Sequence, residues 1–365
     1  MAPTCQFIAP CPAGGPRGSG CTNRPGQCQP RSNRNPKRFA VNTSQLTLLR
    51  PVSRSFYISI RVLPRTLREP VARAYLLART TDTIADTSAI DVDLRIRMLQ
   101  ALADAIQGDA NGVAGELRET FAPLQKNEAE RNLIESVERS LRALARLTGE
   151  DRADVRVLLK TITRGQLLDL TRWRNGLAAL ASAKELREYA YLVAGCVGEF
   201  WTRLCSRKLV PFANLPEPEM LELGRQYGCG LQLVNILRDA GNDLRAGRCY
   251  FPEDQLRVAE LTVEDLQHEP AAFRPIFQSW INEAGAGLSA GIDYSVAIRS
   301  ARVRVATSLP ALIGARTLAL VQAEGLNALH KRVKVPRSQV RTMIGSVAIT
   351  LAKPDHLRTM FNRLR

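Results

Sequence analysis

Hydrophobic residues recur every three to four positions along most of the 365-residue chain, in segments separated by short polar joints. This spacing is typical of amphipathic helices, and alternation of the kind that builds strands is scarce. The pattern predicts helices over 67–87, 91–107, 128–147, 151–173, 184–206, 217–245, 273–297, 303–324 and 336–352. Joints such as 109–112 and 214–216 carry the Gly, Asn and Pro residues that end helices. We therefore expect one large all-α domain over 43–352 and no sheet.

The two ends of the chain differ from this helical body. Residues 1–42 are rich in Pro, Gly, Arg and Asn, which predicts a disordered basic tail. Thr43 and Ser44 are suited to cap a first helix, which we expect to break at Pro51. Residues 353–365 are expected to form a short basic tail. No run of 18 apolar residues is present, so we predict no membrane span.

Positive charge is concentrated at both ends. The net charge is +16, with six basic and no acidic residues in 1–40, and thirteen basic against two acidic residues in 294–365. Such ends suit an anionic membrane surface, a nucleic-acid contact or simply a solvated surface. Because the central body has no basic excess, we expect no nucleic-acid binding. The resulting expectation is a cytoplasmic monomer that touches a membrane peripherally.

The cysteines do not indicate a metal site. Four of the eight lie in the first 28 residues, without the close pairs or nearby histidines that a zinc site needs. The other four lie in or beside helical patterns, where a free thiol acts as a small hydrophobic residue. This distribution indicates a reducing compartment.

Two of the predicted helices carry a polar stripe on a single face. On the first helix the stripe consists of Tyr75, Arg79, Asp82 and Asp86. On the second helix it consists of Gln232, Asn235, Asp239 and Asp243. A solvated face is the simplest explanation for such a stripe. Solvated faces, however, usually mix Lys, Glu and Arg, whereas these stripes run along helices rich in Leu, Val and Ile. We therefore expect both stripes to face an interior.

Buried carboxylates need a compensating cation. Carboxylates with an amide form a set of hard oxygen ligands that suits Mg²⁺, an ion that also binds substrate phosphates. Arg79, Arg238 and Arg248 are placed to clamp diphosphate oxygens. Together, metal and arginines would stabilise charge on a leaving diphosphate. A central apolar cavity would then shield the resulting carbocation from water.

Four segments resemble, in order, the signatures of the squalene/phytoene synthase family. They are Ser-Arg-Ser-Phe-Tyr at 53–57, the Tyr-to-Asp stretch at 75–86, the Tyr-to-Gly stretch at 189–198 and Gly-Leu-Gln-Leu-Val-Asn-Ile-Leu-Arg-Asp at 230–239. The similarity covers roughly residues 45–345. It implies the isoprenoid synthase fold and a magnesium-dependent transferase that condenses two isoprenoid diphosphates head to head.

The resemblance also implies roles for individual residues. The metal ligands would be Asp82, Asp86, Asn235, Asp239 and Asp243. The diphosphate contacts would be Ser53, Arg54, Ser55, Arg79, Gln232, Arg238 and Arg248. Phe56 and Tyr75 would touch the prenyl chain or cation, and Tyr189 would act in the first condensation. Because a phenol with a pKa of ~10 is a poor base, a diphosphate oxygen would help to receive the proton.

The choice of product depends on weaker resemblances. Asp-Thr-Ile-Ala-Asp at 82–86 resembles squalene synthases, and 333–339 resembles the basic segment that those enzymes use near NADPH. Lys334 and Arg337 would then contact a phosphate of the cofactor. Residues 235–243 and 247–252 instead resemble the carotenoid branch. No Gly-x-Gly-x-x-Gly fingerprint is present, so NADPH would have to occupy the same cavity.

Our first choice is therefore the conversion of two farnesyl diphosphates, through presqualene diphosphate, to squalene. The alternative is a phytoene, dehydrosqualene or hydroxysqualene synthase of the same fold that uses no NADPH. A helical scaffold without catalysis is the remote alternative.

Overall fold

The structure is a computed structural model that describes residues 43–109, 112–174, 176–349 and 354–365. The predicted tail at 1–42 lies outside these residues. Fifteen α-helices occur in this part of the chain: α1 (Thr43–Val62), α2 (Arg65–Asp86), α3 (Val92–Gln107), α4 (Val113–Thr120), α5 (Glu128–Glu135), α6 (Val137–Ala145), α7 (Gly149–Arg172), α8 (Ala183–Ala190), α9 (Cys196–Lys208), α10 (Glu217–Arg245), α11 (Glu253–Val258), α12 (Arg274–Ala297), α13 (Ala301–Glu324), α14 (Arg337–Ile349) and α15 (Asp355–Leu364). The prediction of an all-α fold is confirmed.

Most of the long helices begin and end close to their predicted positions. The 217–245 prediction matches α10, and the 273–297 prediction matches α12 within one residue. The predicted 128–147 helix is instead two helices, α5 and α6, that meet at Ser136. The predicted 184–206 helix is α8 and α9 joined by a π-helical segment (Tyr191–Gly195). A π-helical turn holds one residue more than an α-turn and occurs frequently at functional sites.

The expectation that Pro51 breaks the first helix is wrong. Helix α1 continues through Pro51 to Val62. A proline inside a helix removes one backbone hydrogen bond and crowds the preceding turn. Leu49 and Ile60 are both almost fully buried, on either side of the proline. Tertiary packing of these two residues therefore holds α1 together across Pro51.

A short two-stranded sheet was not predicted. Strands β1 (Ala178–Leu180) and β2 (Arg248–Pro252) pair in parallel, with Ala178 opposite Arg248. Strands of three and five residues are too short to show an alternating pattern in the sequence. The pairing ties the segment after α7 to the segment after α10, which positions Arg248.

The core consists of two clusters of buried apolar side chains, and α10 packs against α9, α12 and α13. The approach between α9 and α10 is close because glycines face each other there. A Cβ built on Gly198 would lie 1.8 Å from the carbonyl oxygen of Gly224. A side chain at Gly198 would therefore force the two helices apart.

The C-terminal region ends in a helix that packs on the rest of the fold. Helix α15 occupies most of the expected tail at 353–365, and its Leu357 and Phe361 are buried against the helical body. Within the described residues, the stretch Ala301–Leu329 is long and apolar enough to cross a membrane by length and composition. Of its most apolar window, 67% is buried inside the protein, as in a core helix.

Candidate active site

The acidic stripe of α2 faces the interior. Asp82 is 9% exposed and accepts a hydrogen bond of 2.5 Å at Oδ1 from Gln166 Nε2 of α7. Arg79 lies 3.9 Å from the other carboxylate oxygen of Asp82 and forms a 2.6 Å ion pair with Glu130 of α5. Burial raises the pKa of Asp82, against the opposing effects of Arg79 and Gln166. A solvated polar face is therefore excluded for this stripe.

Asp86 lies one helical turn further along α2. Burial and the neighbouring Asp82 carboxylate raise the pKa of Asp86 to about 7. Its Oδ1 atom is buried and has no hydrogen-bond partner among the described residues. The positive charge of Arg248, which lies on β2 just after α10, acts on the pKa of Asp86 in the opposite direction.

The stripe of α10 is buried over most of its length. Asp243 forms a 2.8 Å ion pair with Arg248, and burial raises the pKa of Asp243 to about 6. Asp239 is more exposed and is held by the adjacent Arg238, whose Nε lies 3.0 Å from Asp239 Oδ1. At the inner end, Asn235 and Gln232 are both buried. Asn235 Nδ2 donates to Gln232 Oε1 at 3.4 Å.

Arg248 forms an ion pair with Asp243, and its charge also acts on the pKa of Asp86, but the carboxylates of the two stripes do not converge on one point. Among the residues that the structure describes, no three Asp, Glu, His or Cys side chains form a group that could hold a metal ion. Three carboxylates of the site are already paired with arginines: Asp82 with Arg79, Asp239 with Arg238 and Asp243 with Arg248. An anion would have to bind each arginine in place of its carboxylate before that carboxylate could fully coordinate a cation.

Several buried atoms at the site lack the partner that burial normally demands. Asp86 Oδ1, Asp243 Oδ2 and Gln166 Oε1 accept no hydrogen bond within the described part of the chain. An unsatisfied buried polar atom costs about 1–3 kcal/mol, and more when it is charged. Carboxylate and amide oxygens in this condition match the hard ligands that Mg²⁺ prefers. The donor set therefore fits a magnesium ion.

A second buried group lies next to these stripes and was missed in the sequence. Asp169 Oδ2 accepts hydrogen bonds from Tyr189 Oη at 2.7 Å and Tyr250 Oη at 3.3 Å. The two phenol rings stack with centroids 5.0 Å apart. Burial raises the pKa of Asp169 to about 7, and burial beside the Asp169 carboxylate raises the pKa of both phenols. The predicted Tyr189 thus has a carboxylate that can exchange a proton with it.

The sequence did contain signals for some of the missed residues. Gln166 and Asp169 stand three positions apart on α7, between leucines, and so share one inward face. Tyr250 lies inside the 247–252 segment that was noted only as a product signature. Glu130 gave no signal, because its pairing with Arg79 joins positions 51 residues apart in the chain.

The remaining predicted residues lie on two other parts of the fold. Ser53, Arg54, Ser55 and Phe56 lie on α1, but their side chains are outside the described residues, so their roles stay predictions. Tyr75 Oη donates to the carbonyl oxygen of Val52 at 3.1 Å, which brings α2 next to that part of α1.

Lys334 and Arg337 are exposed, and the segment before them packs on α10. The carbonyl oxygen of Leu329 lies against the backbone of α10 at Gly241, where an added Cβ would be only 1.6 Å from it. Arg245 Nη1 donates a hydrogen bond of 3.1 Å to the same oxygen. The basic segment therefore begins beside the end of α10 that carries Asp243. The role of Lys334 and Arg337 toward a cofactor stays a prediction.

The amino-acid sequence is similar to those of several known proteins. The sequence is 28% identical over 240 residues to a bifunctional lycopene cyclase/phytoene synthase of Blakeslea trispora, covering 64% of this chain and 36% of that protein. It is 28% identical over 315 residues to the squalene synthase of Saccharomyces cerevisiae, covering 83% of this chain and 68% of that one. The chain thus spans about a third of the first relative and two thirds of the second.

The fold is also found in solved structures. A structure described as a complex of TcSQS with a ligand superimposes with a TM-score of 0.66 at 20% identity, covering 88% of this chain and 96% of that one. A sequence model of the family described as squalene/phytoene synthase matches residues 49–339. That range includes both acidic stripes, Asp169, Tyr189 and Tyr250, and we conclude that this chain belongs to the squalene/phytoene synthase family.

Proposed function

We propose that this protein condenses two molecules of farnesyl diphosphate head to head through presqualene diphosphate and then reduces that intermediate with NADPH to squalene. Family membership supports a transferase that acts on prenyl diphosphates. The observation that carries the proposal is the pair of buried acidic stripes around Arg248, in which Asp86 and Asp243 each keep a carboxylate oxygen without a partner.

Diphosphate binding would use the arginines that now hold the carboxylates. Arg79, Arg238 and Arg248 are only 13% exposed at their side chains, so an anion that reached them would bind with little screening by solvent. Their transfer to diphosphate oxygens would release Asp82, Asp239 and Asp243. These carboxylates, with Asp86 and Asn235, would hold Mg²⁺. Bound there, the ion neutralises charge on the departing diphosphate.

The condensation also requires that a proton be removed. The diphosphate of one substrate leaves with the electron pair of its C–O bond, and the allylic cation forms a new C–C bond with the double bond of the second substrate. Ring closure to the cyclopropane then releases a proton from C1 of the first substrate, the carbon that carried the departed diphosphate. Tyr189 Oη would accept this proton as it passes its own to Asp169, 2.7 Å away. This relay gives the phenol the basicity that it lacks alone.

The dry surroundings of Tyr189 would protect the cation. Tyr189 and Tyr250 are both at most 4% exposed, and Trp173 packs edge-on against Tyr250 with ring centroids 4.7 Å apart. The electron-rich faces of aromatic rings stabilise cations, and the effect is strongest where water is absent. Exclusion of water also prevents capture of the cation as an alcohol.

Reduction to squalene is proposed from the basic segment beside α10. Val333 and Val335 are buried, whereas Lys334 and Arg337 are exposed, so the segment points its cations outward near the Asp243 end of the site. These cations would hold a phosphate of NADPH. The similarity to known proteins does not select the product, since the squalene synthase and the phytoene synthase relatives are both 28% identical. A phytoene-type or dehydrosqualene-type synthase is therefore the second candidate.

The test is to incubate the purified protein with farnesyl diphosphate and Mg²⁺, with and without NADPH, and to identify the products by mass spectrometry. We expect presqualene diphosphate without NADPH and squalene with it. A non-reduced hydrocarbon or alcohol under both conditions would contradict squalene synthesis and favour the second candidate.

A catalytically silent scaffold requires a different measurement. We expect the double variant Asp82→Ala and Asp239→Ala to lose Mg²⁺-dependent binding of farnesyl diphosphate, measured by calorimetry. Unchanged binding in a folded double variant would support the scaffold.

We further propose that the protein contacts anionic membranes from the cytoplasmic side. Arg332, Lys334, Arg337 and Arg341 are all exposed. Each basic residue near an anionic surface contributes about 1 kcal/mol to binding. We expect the protein to pellet with anionic liposomes at low salt and to be released at high salt. A protein that stays in the supernatant at low salt would contradict this proposal.

A further inference from the structure

An apolar cavity of about 70 Å³ lies nearer the start of α10 than the acidic stripe of that helix. Its walls come from the π-helical segment, α9, α10, α12 and α13. On α10 it begins at Leu231, four residues before Asn235, and extends back to Gly224. At a rise of about 1.5 Å per residue, it occupies the region from about 6 to about 16 Å below Asn235 along the helix.

The polar groups around this cavity are already satisfied. Tyr227 Oη donates to the carbonyl oxygen of Thr307 at 2.7 Å. Tyr294 Oη and Thr202 Oγ1 form a hydrogen bond of 2.9 Å. With these hydroxyls engaged, the cavity offers a water molecule few of the two to four partners that it needs. The cavity therefore suits hydrocarbon.

Trp201 of α9 is the exception among the lining residues. It is 9% exposed, and its indole Nε1 is buried without a hydrogen-bond partner in the described part of the chain. Leaving a buried donor unsatisfied is unfavourable, and a phenylalanine at this position would avoid the cost. The indole fills more space than a phenyl ring, so the presence of tryptophan here suits a position where a large side chain is needed in the cavity wall.

The arrangement of the helices determines where the side chain of Trp201 lies. Trp201 lies twelve residues after Tyr189 along the continuous helical path of α8, the π-helical segment and α9. Gly198 and Gly224, which both line the cavity, hold α9 and α10 in backbone contact. The helices cannot separate without losing this contact, so the cavity is not easily widened between α9 and α10, and Trp201 is the lining residue of α9 furthest from Tyr189.

We infer that Trp201 limits the length of the prenyl chain that the protein accepts, because it closes the far end of the chamber whose other end holds the diphosphate. The inference rests on the proposed function. The last isoprene unit of a farnesyl chain would pack against the indole ring. A geranylgeranyl chain, one isoprene unit longer, would collide with it.

The test compares rates of diphosphate release from farnesyl and geranylgeranyl diphosphate. We expect Trp201→Ala to raise the ratio of geranylgeranyl to farnesyl kcat/KM at least about tenfold, the scale that a single methylene achieves in an apolar pocket. Phe200→Ala is the matched control, since Phe200 is a buried aromatic residue on the same helix that does not line the cavity. It should leave the ratio unchanged.

A filling variant tests the same idea in the opposite direction. Ala306 lines the cavity from α13, and Ala306→Val should lower use of farnesyl diphosphate relative to the shorter geranyl diphosphate. If thermal melting shows that Trp201→Ala does not fold, Ala306→Val alone tests whether the cavity limits chain length.

The proposed function and the role of Trp201 can be refuted separately. If the unaltered protein releases no diphosphate from farnesyl diphosphate, the proposed function is wrong. If it is active but the ratios do not change in the folded cavity variants, Trp201 does not limit chain length.

Discussion

Gln166 Nε2 donates a 2.5 Å hydrogen bond to Asp82 Oδ1 and so fixes the first acidic residue of α2 from the neighbouring helix α7. Asp82 is buried, and within the described part of the chain its carboxylate is held by this bond and by the more distant Arg79, 3.9 Å away. If Asp82 binds the metal ion as proposed, Gln166 is the residue that positions it.

Gln166→Ala should weaken Mg²⁺ binding by about 10-fold to 100-fold, the usual cost of losing a partner that orients a metal ligand. Calorimetric titration of Mg²⁺ in the presence of farnesyl diphosphate measures the effect. Gln255→Ala is the control, because Gln255 accepts a hydrogen bond from Trp280 Nε1 away from the site. Equal Mg²⁺ affinity in both variants would contradict a positioning role for Gln166.

Tyr189→Phe should reduce kcat by about 10²–10⁴-fold, the range expected when a proton-transfer group is removed. The variant should retain its fold and its Mg²⁺-dependent substrate binding, because the ring still stacks on Tyr250. Single-turnover formation of presqualene diphosphate measures the rate. Tyr191→Phe, two residues further on, removes only a hydroxyl that donates to Glu199 and serves as the control. A kcat within threefold of the unaltered protein, roughly 0.7 kcal/mol, would rule out the relay.

Asp169→Asn should change how stability depends on pH. Burial raises the pKa of Asp169 from 3.8 to about 7, so between these values the folded protein keeps a proton that the unfolded chain releases. The contribution of Asp169 to stability is therefore full below pH 4 and is lost as the pH rises through about 7. Asparagine cannot titrate, so denaturant unfolding from pH 4 to 7 should show a smaller decline in the variant. An identical decline would mean that Asp169 is not protonated in the folded state.

Magnesium affinity should rise with pH between about 6 and 8. Burial raises the pKa of Asp86 to about 7 and that of Asp243 to about 6, and metal ligands must be deprotonated. Calorimetry in buffers of different ionisation enthalpy should therefore detect release of protons on Mg²⁺ binding near pH 6, and little release at pH 8. Absence of proton release near pH 6 would place both carboxylates outside the metal site.

Lys334→Gln combined with Arg337→Gln should raise the KM for NADPH about tenfold or more, since each residue is expected to hold a phosphate by a charge-assisted hydrogen bond. Presqualene diphosphate formation without NADPH should be unchanged. Arg363→Gln, an exposed cation on α15, controls for the general loss of positive charge. If the double variant and the control have the same KM, the basic segment does not bind the cofactor.

The fold was predictable because its long helices carry strong periodic patterns, and both acidic stripes were predictable because their spacing repeats along a single helix. How the two acidic stripes lie relative to each other was harder to predict from the sequence. The charge of Arg248 acts on the pKa of Asp86 from a different element, an effect that no spacing in the sequence encodes. Asp169 was missed because a single acid between leucines becomes informative only once Tyr189 and Tyr250 are seen to converge on it. Pro51 shows the opposite case, in which packing overrides a strong local rule.

The π-helical segment Tyr191–Gly195 stands between the phenol of Tyr189 and the indole of Trp201 on one uninterrupted helical path. An α-helix turns about 100° per residue, so deleting one residue here would swing the indole by that angle relative to the phenol. Insertions and deletions in this stretch would therefore alter proton transfer and substrate size together. With Trp201 in the proposed role, a new chain-length preference along this helix would have to come from changes of side chain at fixed length.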